Sequence, residues 1–244
     1  MGQFRTFFRL SYSPRIFDRL GNTHNPLFDY SWPMVPRDFH SLVKEIKEKG
    51  IHEGMAPKGC RGLDLSRNNL ETLPAFMWNC ESLRDLDLSH NRLNGTLIFL
   101  RNSLWRELVV LRLHSNHLTH LPASVSCLVS LEELYLNNNL LEDLPNEFAT
   151  LFRLRVLSMA RNCFEEVPSA LLKLPKLQVL GLGRNRLKAL PDELFRHPAL
   201  QKLWVNNNFL TCLPEVACRS KHLAELVSHG NPLDRDLPAL SSKL

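Results

Sequence analysis

Eight asparagines constrain this chain more than any other feature: Asn68, Asn91, Asn116, Asn139, Asn162, Asn185, Asn208 and Asn231. Their separations are 23, 25 and then 23 five times over. Each closes a copy of LxxLxLxxNxL, most cleanly in Leu131-Leu134-Leu136-Asn139-Leu141 and Leu177-Leu180-Leu182-Asn185-Leu187. A fixed period of this length is the mark of stacked units. The LxL core reads as a short strand with both leucines inward and the residue between them facing solvent. One repeat cannot bury its own leucines, whereas stacked neighbours can, at roughly 1.5–3 kcal/mol for each one. The predicted fold is therefore an α/β solenoid, a curved horseshoe. About eight short parallel strands line its concave face, and short helical or 3₁₀ turns line its convex face.

The asparagine falls where the chain turns away from the strand. A side-chain amide offers two donors and an acceptor. It can pair with backbone groups of its own and the next coil that would otherwise be buried without partners. The eight asparagines thus read as a structural ladder. A second signature follows: Leu73-Pro74, Leu121-Pro122, Leu144-Pro145, Val167-Pro168, Leu190-Pro191 and Leu213-Pro214. Proline fixes φ and donates no hydrogen bond, which suits a descending loop. Apolar residues at helix-like spacing come next, as in Phe148, Leu151 and Leu154.

Taken together, LxxLPxxxxxLxxLxxLxLxxNxL at a period of 23 residues resembles the intracellular leucine-rich-repeat class called Ras-group or plant-intracellular-like. The resemblance covers about residues 60–238. It implies the solenoid fold and a binding role. It names no partner, because members bind many different ones.

The rest of the composition narrows the class. Apolar residues make up 44% and aromatics only 8%, so the core must be aliphatic. The net charge of +5 permits an acidic partner without demanding nucleic acid. The six cysteines (Cys60, Cys80, Cys127, Cys163, Cys212 and Cys218) form no CxxC pair and fall mostly within apolar patterns. They read as inert reduced thiols of an intracellular protein. No stretch approaches the roughly 18 apolar residues of a membrane span, and Arg9 interrupts the apolar start, against a secretory signal. The expected location is intracellular and cytoplasmic, with the mitochondrion as the alternative.

Four segments follow: an N-terminal arm over 1–37, a capping helix and turn over 38–59, eight repeats over 60–238, and a tail over 239–244. The cap is a helix from Asp38 to Lys49, with Phe39, Leu42, Val43 and Ile46 on one face and Gly50 as its stop. The arm is rich in proline and aromatics, too aromatic for a simple disordered tail. It is expected to lie against the solenoid or a partner. Arg5, Arg9, Arg15 and Arg19 make it basic, in the manner of a mitochondrial transit segment. Its start, Met1-Gly2-Gln3-Phe4-Arg5-Thr6, also fits M-G-x-x-x-[ST], which would place a lipid anchor at Gly2. An uncleaved arm reaching into a large assembly is the third reading.

Two repeats depart from the pattern. The second has two extra residues and no Leu-Pro. It reads either as a tolerated loop insertion or as a partner contact through Phe99 or Trp105. The eighth carries Ser228 where its strand should end in an apolar residue, as terminal repeats often do.

The register also lists the exposed face. The central column runs Asp64, Asp87, Arg112, Tyr135, Ser158, Gly181, Trp204 and Val227, and the column beside the ladder includes Arg161 and Arg184. The first repeats are acidic there, with Asp64, Asp85 and Asp87. Ser158, Ala160, Gly181 and Gly183 are small and lie between Tyr135 and Trp204, which predicts a shallow pit walled by two exposed aromatics and rimmed by Arg161 and Arg184. Aromatics and arginines anchor many protein interfaces. The candidate partner-binding residues are Tyr135, Ser158, Arg161, Gly181, Arg184, Trp204, Arg112, Asp64 and Asp87.

No catalytic constellation emerges. His114, His117 and His120 fall on a strand, a turn and a loop and do not converge as metal ligands. There is no phosphate loop and no nucleophile elbow. Outside the repeats only about 59 residues remain, too few for most catalytic folds. The expected function is therefore non-enzymatic and needs no cofactor. It is a protein-interaction module, scaffold or structural subunit of a larger complex, binding through the concave sheet and the arm. A subunit of a nucleic-acid-containing assembly, such as a mitochondrial ribonucleoprotein, is the alternative.

Overall fold

Nine short strands lie side by side in one parallel sheet, in chain order. The computed structural model describes residues 61–73, 77, 80–94 and 105–233, together with the backbone of 7–9. The expected capping helix at 38–49, Cys60, Phe99 and the tail 239–244 lie outside those residues. The repeat strands are β2 (Gly62–Asp64), β3 (Asp85–Asp87), β4 (Val110–Arg112), β5 (Glu133–Tyr135), β6 (Val156–Ser158), β7 (Val179–Gly181), β8 (Lys202–Trp204) and β9 (Glu225–Val227). Each is three residues long because its coil must turn back at the asparagine. The register is constant, so Leu63, Leu86, Leu111, Leu134, Leu157, Leu180, Leu203 and Leu226 stack in one inward column. All eight are buried.

The ninth strand was not foreseen as a strand. Within the arm, β1 (Phe7–Arg9) pairs in parallel with β2, Phe7 opposite Gly62 and Arg9 opposite Asp64. Part of the arm therefore lies against the solenoid, on the sheet edge that the first repeat would otherwise leave open. An unpaired edge is a template for association with other chains, and β1 covers this one.

On the convex side, the Leu-Pro signature ends where each short helix begins. Pro122, Pro145, Pro168 and Pro214 immediately precede 3₁₀ helices at Ala123–Cys127, Asn146–Thr150, Ser169–Lys173 and Glu215–Arg219. Pro191 precedes α1, a single α turn at Asp192–Phe195. The proline presets an extended entry, and its carbonyl accepts the first helical bond, as from the Phe148 N–H at 2.9 Å.

The two extra residues of the second repeat do not expose its tryptophan. Trp105 occupies the place held by Leu128, Leu151 and Leu174 in later coils, since its carbonyl accepts the Leu108 N–H as theirs accept Leu131, Leu154 and Leu177. It is 1% exposed. The expected partner contact through Trp105 is thus corrected: the ring is core, and the larger side chain fills a coil whose Leu-Pro anchor is missing. His197 stands at the same position in the sixth coil and is also buried. Its Nε2 donates to the Leu174 carbonyl at 2.8 Å, and its Nδ1 accepts the Ala199 N–H at 3.3 Å, which requires the Nε2–H tautomer.

Candidate functional site: the concave sheet

The asparagines set the frame on which the concave face is mounted. In the sixth coil Asn185 Nδ2 donates to its own Leu182 carbonyl at 2.9 Å and to the Met159 carbonyl of the preceding coil at 3.0 Å. Its Oδ1 accepts the Phe164 N–H at 3.2 Å. Asn91, Asn116, Asn139, Asn162 and Asn208 repeat this arrangement. The bonds therefore run to the preceding coil and not, as the sequence reading had it, to the next one.

The residue before each ladder asparagine turns the chain. Arg67, His90, Ser115, Asn138, Arg161, Arg184, Asn207 and Gly230 all have φ between 54° and 72°. Only glycine and, to a lesser degree, asparagine adopt this left-handed conformation readily. Two of the eight positions nonetheless carry the arginines of the expected rim. Both are exposed.

At the N-terminal end the face is a web of ion pairs and hydrogen bonds. Asp64 and Asp87 each commit one oxygen to a local backbone N–H, of Ser66 and Ser89, at 2.9 Å. Arg112 pairs with Asp85 across the strands, and its guanidinium stands 5.8 Å from the centre of the Tyr135 ring. Burial pushes the Asp85 carboxyl up from the usual range, against the pull of Arg112. The His114 ring packs edge-on against His90, with centroids 5.2 Å apart. Burial, then His90 and the nearby arginines, hold His114 down at about 4. His117 and His120 are exposed, away from the sheet surface.

At the C-terminal end the expected aromatic walls are not walls. Tyr135 and Trp204 are only 5% and 7% exposed. Trp204 lies down on a small neighbour, Tyr135 has the Arg112 guanidinium beside its ring, and both are tied at their polar ends. The Tyr135 hydroxyl donates to Glu133 at 2.8 Å, and the Trp204 indole N–H donates to Glu225 at 2.7 Å. That indole bond, followed by Lys202, holds the Glu225 carboxyl below its ordinary value. The Trp204 ring edge reaches over Gly181, 3.5 Å from where a Cβ would stand. Ser158 and Gly181 are themselves buried, so the expected open pit is covered at Gly181 by the indole.

Sequence reasoning missed two features. One is the His90–His114 pair, which the register shows only when adjacent columns of neighbouring coils are compared. The other is an exposed apolar stripe before the strands: Val129 and Phe152 are 51% and 60% exposed, and Pro175 and Pro198 continue it at the same register. Counting in steps of 23 would have found it. The expectation that the cysteines are mostly core is also corrected: Cys80 is buried, Cys127 and Cys163 are half-buried, and Cys212 and Cys218 are exposed free thiols. Among the described residues no helix is long and apolar enough to cross a membrane.

Comparison with known proteins agrees with this geometry. The family model described as "Leucine rich repeat" matches residues 57–93 and 106–164. The gap between the two matches falls in the second repeat, where the two-residue insertion lies. A human relative, the volume-regulated anion channel subunit LRRC8E, is 37% identical over 75 residues, which is 31% of this chain and 9% of that protein. Among solved structures, a leucine-rich-repeat protein of Leptospira interrogans superimposes with a TM-score of 0.65 at 32% identity, covering 70% of this chain and 43% of that one. An internalin from Listeria monocytogenes gives 0.58 at 20% identity, over 75% of this chain and 59% of the other, and shows the fold alone. This chain spans well under two thirds of each of these relatives. On its eight coils and its asparagine frame the chain has the leucine-rich-repeat solenoid fold, and these matches show it to be similar to leucine-rich-repeat proteins.

Proposed function

We propose that this protein is a non-enzymatic protein-interaction module, a scaffold or structural subunit of a larger intracellular complex, that binds through its concave sheet and its N-terminal arm. One observation carries the reading. Coils of 23 residues, with one of 25, present a continuous parallel sheet whose outward columns vary from coil to coil while the inward columns stay aliphatic. Such a surface offers many side chains in fixed register. The arm adds a second element, since β1 already occupies the first edge of the sheet and the arm's sequence is basic and rich in aromatics.

The test is affinity purification of the tagged full-length protein beside two variants: one lacking residues 1–37, and Ala160→Trp, which places a bulky ring on the concave face. Loss of the recovered partners with Ala160→Trp supports the sheet as the binding surface. Loss with the truncation alone assigns the function to the arm. Undiminished recovery with both variants overturns the reading.

A further inference from the structure

The slot beneath Trp204 contains one group that the fold does not explain. Ser158 is 6% exposed, and its Oγ has no hydrogen-bond partner among the described residues. A buried hydroxyl without a partner costs roughly 1–3 kcal/mol, and alanine would fit the same position without that cost, as Ala160 does two residues later. The hydroxyl leans toward the space left by the missing side chain of Gly181, 3.6 Å from the position a Cβ would take. Trp204 closes that space from the other side and is held by its single indole bond to Glu225.

The surroundings are cationic. From β6 to β8 the outward columns contain no carboxylate, while Arg161 and Arg184 stand exposed in adjacent coils at the ladder side. Neither forms an ion pair within the described chain. Each occupies a left-handed backbone position that would be easier for glycine or asparagine. The Trp204 ring lies over Gly181, and the Asn206 side-chain amide stands where a Cβ on Gly183 would be, so a backbone approaches these glycines closely only once that cover moves aside.

We propose that β6 and β7 bind an extended acidic polypeptide segment, whose backbone lies over Gly181 and Gly183 and takes up the Ser158 hydroxyl while its carboxylates pair with Arg161 and Arg184. This rests on the reading of the concave sheet as the binding surface. Binding displaces the Trp204 indole from Gly181 and the Asn206 amide from Gly183, and uncovers the hydroxyl. A peptide fits better than a nucleic acid: Tyr135 lies buried against the sheet, and the displaced Trp204 is a single ring, so no run of exposed faces is offered for stacking successive bases.

The experiment uses the full-length protein and a fluorescein-labelled decapeptide alternating glutamate with alanine, its glutamine counterpart, and a labelled single-stranded oligonucleotide of equal charge. The glutamate peptide should bind at least tenfold more tightly than the other two. The double reversal Arg161→Glu/Arg184→Glu should reverse that preference. Ser158→Ala should weaken binding several-fold while raising the melting temperature, a combination that a purely structural serine does not give. Equal binding of the glutamate and glutamine peptides overturns the proposal, as does a binding-neutral or destabilising Ser158→Ala. Tighter binding of the oligonucleotide turns the site into a nucleic-acid surface and overturns it as well. If the acidic peptide fails while Ala160→Trp still abolishes partner recovery, the concave reading stands and only the acidic assignment falls.

Discussion

The two ends of the concave sheet are built on the same backbone and carry opposite chemistry. From β2 to β4 the outward groups satisfy one another: Arg112 with Asp85, Asp87 with the Ser89 N–H, His90 against His114. At β6 and β7 the central outward positions are small, two arginines at the ladder side form no ion pair among the described residues, and a buried hydroxyl has no partner there. The outward groups of the first end largely pair with one another, and the second has bonding capacity left over among the described residues. In a repeat protein, where each coil touches only its neighbours, two such surfaces coexist without disturbing the core. Unspent polar groups are therefore a better guide to a binding region than charge density, which is higher at the first end.

The largest effect should come from the frame that both ends share. Asn116→Ala at one end and Asn185→Ala at the other each strand one buried N–H and remove one of the two amide bonds on each of two carbonyls, which keep the neighbouring asparagine. At roughly 1–3 kcal/mol for the unpaired N–H and about 0.5–1.5 kcal/mol for each of the two lost bonds, urea denaturation should show losses of about 2–6 kcal/mol in both variants. A large inequality between them would break the comparison at its root, because it would mean the two ends do not rest on equivalent backbones.

Acid should separate the ends next. Folding holds His114 near 4 from an ordinary 6.5 by burying its neutral form. Between these values the unfolded chain binds more protons, so stability falls as pH drops through the window, by up to about 3 kcal/mol. His114→Gln should flatten that part of the profile in denaturation at pH 7 and pH 4.5. An unchanged profile would show that the histidine pair is not the acid-sensitive part of the first end.

How much of this was legible beforehand follows from what each residue depends on. The aspects set by the repeat itself were readable, because an inward leucine every 23 residues has one consistent explanation: the strands, the parallel order and the proline-led short helices. The dispositions of Tyr135, Trp204 and Trp105 were not. A column assignment says which way a Cα–Cβ bond points, and not whether a long side chain then folds over onto a glycine in the next strand or fills a coil that lacks its leucine. The Ser158 hydroxyl illustrates the same limit. Its column marked it as outward, yet it is buried, with its Oγ turned toward the space over Gly181 that the Trp204 ring also borders. The arm strand was hidden for a different reason, since three residues without a repeat around them carry no periodic signal.

The ion pairs sharpen the contrast further. The Arg112 side chain is 13% exposed and Asp85 36%, whereas Lys202 and Glu225 are 47% and 40% exposed. Arg112→Ala leaves a partly buried carboxylate without its partner and should cost about 1–3 kcal/mol. Lys202→Ala removes a solvated pair and should cost under about 1 kcal/mol. Thermal melts of the two variants at low and high salt check the order. If Lys202→Ala proves the costlier, the second end is held together by its charges after all.

The smallest effect is the most diagnostic. Arg161→Asn and Arg184→Asn put a residue tolerant of the left-handed conformation where Asn138 and Asn207 already stand in neighbouring coils. Neither arginine forms an ion pair that the change would remove, so stability should shift by no more than about 0.5 kcal/mol, as for surface positions without a structural role. A loss well above that, measured by the same melts, would show that these arginines serve the fold. The second end would then be as internally complete as the first. A neutral result leaves two cations held in an unfavourable backbone conformation with no task inside the chain, which is the pattern of side chains kept for a partner.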